Sequence, residues 1–163
     1  MLLALLIAAT VQGRFDVESL TASADAVVHG RVIRQTSAWA DRGGQIFTTV
    51  VLHPIETWKG APAREMNILV PGGEVGELSQ TVQGAAAFQD GEEVVVFLRR
   101  RAPGTYAVQG MALGKFTVTA AADRPSRAAR DRRGLTCVRC AADEQDDFAL
   151  DELRARVLGS APR

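Results

Sequence analysis

The residues best suited to chemistry stand near the C-terminal end, in "GLTCVRC" at 134–140. The stretch holds the chain's only cysteines, Cys137 and Cys140. Two thiols at this spacing can serve a haem, a metal, a redox couple or a short disulfide. A c-type haem needs histidine directly after the second cysteine, and Ala141 stands there instead. A structural zinc needs four ligands. The remaining donors of the right kind, His29 and His53, lie far upstream and would have to converge in space to complete a Cys2His2 set. A redox pair needs a thiolate stabilised by a helix N-terminus or by cations. Arginines precede this pair, but Asp143, Asp146 and Asp147 follow it, so the local fields oppose each other. The expectation is a Cys137–Cys140 disulfide with no bound metal, favoured by an oxidising compartment. So small a ring removes little chain entropy and stabilises only modestly.

Other candidates reduce to structure in the same way. His29 and His53 fall in β-branched runs with no nucleophile and carboxylate beside them, so each is expected to be a strand histidine. Asp90, Glu92 and Glu93 could form an acid–base pair, but "DG" at 90–91 is a hairpin signal, which makes them turn and strand-edge charges. "GMALGK" at 110–115 is one residue short of a phosphate loop and is followed by Phe116. "PGGEVGE" at 71–77 lacks dinucleotide-loop spacing and a following helix. Arginines at 99–101 and 124–133 could grip phosphate, yet 19 basic residues balance 19 acidic ones. The basic footprint of a nucleic-acid protein is missing, and no nucleic-acid partner or cofactor is expected. No catalytic constellation is legible. The expected contact residues are on loops: Trp39, Asp41 and Arg42 in the first hairpin, and Glu74 and Glu77 in the long 72–91 segment.

The elements that must hold these residues are short strands. A chain of 163 residues is one domain by prior and buries roughly 70 % of its unfolded surface, so it needs no staple to form a core. "MLLALLIAATVQG" (1–13) is too short to span a bilayer and suits a secretory signal, with Val11 and Gly13 before the cut. The competing reading is a buried first strand or helix. Asp16 caps a helix over 16–25, where Val17, Leu20 and Ala24 recur at helical spacing. Strands are expected over 26–33, 46–58, 65–71, 92–100, 105–110 and 114–120. Pro54 puts the second at an edge or bulge. The unbroken run Val94–Leu98 marks a strand buried on both faces. Such a series, with glycine turns and no long helix between strands, predicts a mainly β domain over 14–121, built as a small antiparallel barrel or sandwich. Residues 122–134, arginine-rich and without an apolar stripe, read as a solvated linker. Residues 135–163 would hold the cysteines and a C-terminal helix capped by Asp146 or Asp147, striped by Leu150, Leu153 and Val157, and ended at Gly159.

The order "ADAVVHGRVI", "IFTTVVLHPIETWKG", "ILVPGG" and "GEEVVVFL" resembles an exported bacterial domain of unassigned function. More distantly it is similar to the netrin-like and tissue-inhibitor-of-metalloproteinase superfamily. That resemblance covers about residues 22 to 119 and implies a five-stranded barrel of the oligonucleotide/oligosaccharide-binding (OB) type. The inhibitors of that superfamily chelate a protease zinc through an N-terminal cysteine, and this chain has no cysteine near Arg14. The resemblance therefore implies the fold and not the inhibitory mechanism. The expected function is that of an exported, non-catalytic binding module for a protein or cell-envelope polymer. A metal-binding or thiol-redox accessory role for the cysteine pair is the alternative, and a hydrolase assembled only in space ranks last.

Overall fold

The computed structural model describes residues 9–12, 15–41, 44–132, 135–138 and 146–160. In chain order the elements are β1 (Ala9–Gln12), α1 (Val17–Ser23), β2 (Ala26–Trp39), β3 (Ile46–Lys59), β4 (Met66–Pro71), β5 (Gly73–Val75) and β6 (Leu78–Gln80). There follow β7 (Glu93–Ala102), β8 (Thr105–Val108), a 3-10 turn (Met111–Gly114), β9 (Lys115–Ala121), β10 (Arg124–Ala129), β11 (Leu135–Val138), β12 (Asp147–Ala149) and α2 (Leu150–Ser160).

Five strands close on themselves. β2 pairs with β3, β3 with β4, β4 with β8, β8 with β7, and β7 with β2. The result is the mainly β, OB-like barrel that the sequence led us to expect, with one helix near the start and one at the end. One pairing departs from an all-antiparallel barrel: β4 and β8 run parallel where the barrel closes. Glycine and proline act locally as read. Gly30 and Pro54 face each other where the β2–β3 register shifts, and a Cβ at Gly30 would lie 2.7 Å from the His53 carbonyl oxygen. The close approach needs a residue without a side chain.

Alternation along the strands makes two cores. Val28, Val32, Val50, Leu52, Met66, Ile68, Val94, Val96 and Leu98 fill the barrel, and Ala86 and Phe88 of the 81–92 loop close it. The intervening residues Val27, Trp58, Val95 and Phe97 point outward into a second core with Val17, Leu20, Phe116, Ala128, Phe148, Leu153 and Val157. α1 forms because Asp16 accepts from the Ser19 N–H at 2.7 Å, and Val17 and Leu20 present one apolar face. The Lys59 ammonium closes its other end, donating to the carbonyls of Thr21 at 2.6 Å and Ala24 at 2.7 Å.

The sequence is corrected beyond residue 121. The segment read as a solvated linker, 122–134, contains β10, which pairs with β9 on one side and β12 on the other. Ala128 is wholly buried in the outer core. Arg130 is only 7 % exposed, with its guanidinium 5.3 Å from the centre of the Phe116 ring and a hydrogen bond to the Phe15 carbonyl. An arginine can cross apolar packing when its planar head stacks on a ring and its donors find oxygens. Asp146 pairs with Arg130 and Arg132 rather than capping the final helix, and Asp147 belongs to β12. α2 starts at Leu150 and runs past Gly159 to Ser160. It docks through buried Leu153 and Val157 and through two ion pairs, Arg154–Glu56 and Arg156–Glu18.

Residues 9–12, within the stretch read as a signal, pair in parallel with β11. Cys137 faces Val11 in that register. Cys140 lies outside the described residues, as does the side chain of Cys137, and among the described residues there is no disulfide.

Candidate functional site

Two surfaces gather the residues singled out above. The first is a rim of the barrel. β3 leaves the first hairpin at Ile46, and β4 ends opposite it, with Pro71 across from Phe47. The β5–β6 hairpin, read from sequence as part of a structureless loop, therefore emerges beside the tip of the β2–β3 hairpin. Side chains brace the two. The Ser37 and Thr48 hydroxyls lie 2.9 Å apart, Thr48 donates to the Gly72 carbonyl at 2.8 Å, and the Gln80 side-chain oxygen accepts from the Ile46 N–H at 2.6 Å. Gly73, at φ +136°, packs so closely on Ser37 and Thr48 that a Cβ there would collide with both hydroxyls. The hairpins are thus fixed against each other while their tips stay in solvent.

On this rim Trp39 is 46 % exposed and Leu78 is 60 % exposed. Glu74 and Glu77 are exposed on the second hairpin, and Asp41 is exposed just past Trp39. Arg42 lies outside the described residues. Leu78 escaped the sequence reading because the 72–91 segment shows no strand period long enough to place it.

The second surface is a cleft of about 870 Å³ between the 85–93 loop and β9, lined by Arg31, Phe88, Glu92, Lys115 and Thr117 among others. Its floor is a nearly buried ion pair. The Lys115 ammonium sits 2.6 Å from Glu92 Oε1, 3.2 Å from the Thr117 hydroxyl and 5.0 Å from the centre of the Phe88 ring. Thr117 donates to the same carboxylate oxygen at 2.7 Å, and the other oxygen accepts from the Gln89 N–H at 3.0 Å. Every group here is committed. The Lys115 ammonium and the Thr117 hydroxyl both donate to the one Glu92 oxygen, so the three side chains are spent on one another. This network anchors the barrel-closing loop to β9. Glu92 works as a turn charge, in keeping with its reading from sequence.

The histidines take different places. His29 is 8 % exposed, tilted against the Trp58 ring with centroids 5.8 Å apart, and bonded to Glu93 at 2.8 Å. The second Glu93 oxygen accepts from Arg31 at 2.9 Å. His53 is exposed on β3. Asp90 accepts from the Gln35 amide at 3.2 Å, so Asp90, Glu92 and Glu93 each face a different partner and none pairs with another. Among the described residues no three histidine, cysteine or carboxylate side chains converge as a metal would require. None of the described helices is long and apolar enough to cross a membrane.

The carboxylates that hold α2 are electrostatically tuned. The Arg156 guanidinium holds the Glu18 carboxyl below the ordinary glutamate range. Arg154, with help from the Trp58 N–H, does the same for Glu56.

Fold and surfaces together define a small closed β-barrel with a second core on its outer wall and a braced pair of hairpins at one rim. Comparison with protein families finds no matching family, and comparison with curated proteins finds no match.

Proposed function

We propose that the chain is an exported, non-catalytic binding module, netrin-like in role, whose partner is a protein or a cell-envelope polymer. The observation that carries this reading is the braced rim. It holds two large apolar side chains, Trp39 and Leu78, in water on hairpins that cannot move independently. A rigid scaffold showing an aromatic and an aliphatic anchor, with the acidic residues Asp41, Glu74 and Glu77 exposed on the same two hairpins, suits recognition of a surface. The short apolar run of 1–13 has the pattern of an export signal, and in the uncleaved chain its residues 9–12 pair with β11. The committed state of Lys115, Glu92 and Thr117 supports binding over catalysis.

The test uses purified full-length protein and envelope fragments from the source cells. Trp39→Ala combined with Leu78→Ala should reduce retention on the fragments at least tenfold, with an unchanged melting temperature because both side chains are exposed. Equal retention of the double variant and the wild type would overturn the assignment of the rim.

A further inference from the structure

Six arginines of this chain are matched by carboxylates among the described residues. Arg31 is matched by Glu93, Arg127 by Asp147, Arg130 and Arg132 by Asp146, Arg154 by Glu56, and Arg156 by Glu18. Arg34, Arg64, Arg124 and the run Arg99, Arg100 and Arg101 have no carboxylate partner among the described residues, and the last three alone form a cluster. They are consecutive and exposed at the end of β7, and none of their side chains reaches a carboxylate among the described residues. Asp25, the acid of that neighbourhood, is committed to the backbone N–H of Arg100 at 2.7 Å. A plain strand would send alternate side chains to opposite faces. Here a bulge between Arg100 and Ala102 interrupts the register with β8. All three arginines line one depression of about 270 Å³, together with Ala107, Val108 and Gln109. No carboxylate lines it, and the Gln109 side-chain amide adds a neutral polar group. The depression has room for several waters and so for a hydrated oxoanion.

We infer that this depression binds the phosphate groups of an anionic envelope polymer, a second contact surface at the opposite end of β2 from the rim. The inference deepens the reading of the chain as an exported binding module and rests on it. Guanidinium forks match phosphate oxygens in pairs, and three arginines beside the single carboxylate of Asp25 leave a net positive local field that the zero net charge of the chain hides. Single-stranded nucleic acid is disfavoured because base stacking needs a free aromatic face. The aromatic ring beside these arginines, Tyr106, has the Arg100 guanidinium 6.0 Å from its centre. Trp39 lies at the far end of β2.

The experiment titrates the full chain with fluorescently labelled inorganic polyphosphate. Three contacts at about 0.7 each give a log–log salt slope near −2, so raising salt from about 50 to about 200 mM should weaken binding about 20-fold. Arg99→Gln with Arg101→Gln should weaken binding at low salt at least tenfold and flatten the slope to about −0.7, with unchanged melting. Arg34→Gln with Arg64→Gln makes the same change in net charge at exposed sites elsewhere, and should alter affinity less than twofold. An equal loss in that control, or no loss in the Arg99/Arg101 variant, would overturn the site. Tighter binding of an oligothymidylate of equal charge would overturn the choice of polymer in favour of nucleic acid. The Trp39/Leu78 double variant should keep full polyphosphate affinity, so failure of the rim and failure of this patch read separately.

Discussion

Replacing Arg130 tests whether the C-terminal third belongs to the fold. Arg130→Met keeps much of the side-chain volume and removes the guanidinium. The Phe15 carbonyl then loses a buried donor, which costs about 1–3 kcal/mol. The contact to the Leu113 carbonyl, at 3.4 Å, is too long to add much. Loss of the desolvated contact with the Phe116 ring adds about 1 kcal/mol. Asp146 is not orphaned, because Arg132 stays 2.6 Å away. The sum is about 3 kcal/mol, at the low end of what breaking a buried ion pair costs. With a urea slope of about 2 kcal/mol/M, the unfolding midpoint should fall by about 1.5 M. Equilibrium urea unfolding followed by tryptophan fluorescence measures this, since Trp58 lies in the same outer core. Arg127→Met removes a neighbouring arginine whose pair with Asp147 is exposed, and should leave the midpoint where it is. If both variants unfold with the wild type, residues 122–134 are the solvated linker that their composition suggests.

Further outcomes follow from other contacts. Gly73→Ala should part the two rim hairpins, because its methyl collides with Ser37 and Thr48; faster amide exchange at Ile46 and Gly72 would show it, and unchanged exchange would refute the brace. Phe116→Ala should cost about 3–5 kcal/mol by calorimetry, since the ring is wholly buried between Phe97 and Phe148. Glu18 and Glu56 have folded pKa values below their unfolded ones, so their contribution is present above the unfolded glutamate range and is lost as pH falls through the lowered folded values. Acid should therefore loosen α2 first, a change that Glu18→Gln with Glu56→Gln should largely abolish when helix protection is compared at pH 7 and in acid.

The legible parts of the sequence were those where one local rule dominates. Val94–Leu98 could be read as doubly buried because nothing polar interrupts it, and Asp16 as a cap because a carboxylate before an apolar helical stripe has few other uses. Residues 124–130 were illegible for a physical reason. The core in this segment takes one alanine, Ala128, and one arginine, Arg130. A methyl group carries almost no periodic signal, and a buried guanidinium looks in sequence like a solvated one until the Phe116 ring and the Phe15 carbonyl are placed beside it. The same limit hid the Lys115–Glu92 pair and the isolation of Arg99–Arg101. Whether a charge has a partner is decided by strand pairing across tens of residues and not by its neighbours. The exposure of Trp39 could be read because turn residues follow it, whereas Leu78 sits in a hairpin too short to show an alternation.

The two-sided burial of β7 has a consequence for how the chain finds its register. In an ordinary half-exposed strand, slipping by one residue drives polar side chains inward, and that penalty guards the alignment. β7 has no such guard between Val94 and Leu98, since either face would offer the barrel an apolar set. Shape must do the work that polarity does elsewhere. A slip would swing Phe97 into a lumen fitted to Val96 and would offer the outer wall a valine where Phe116 expects a ring. Alignment between Val94 and Leu98 is therefore kept by volume, while polarity guards the two ends of the run, where a slip would carry Glu93 or Arg99 into the core. A Phe97→Val variant, whose five residues from Val94 become nearly equal in size, would be the chain most prone to settle one residue out of step.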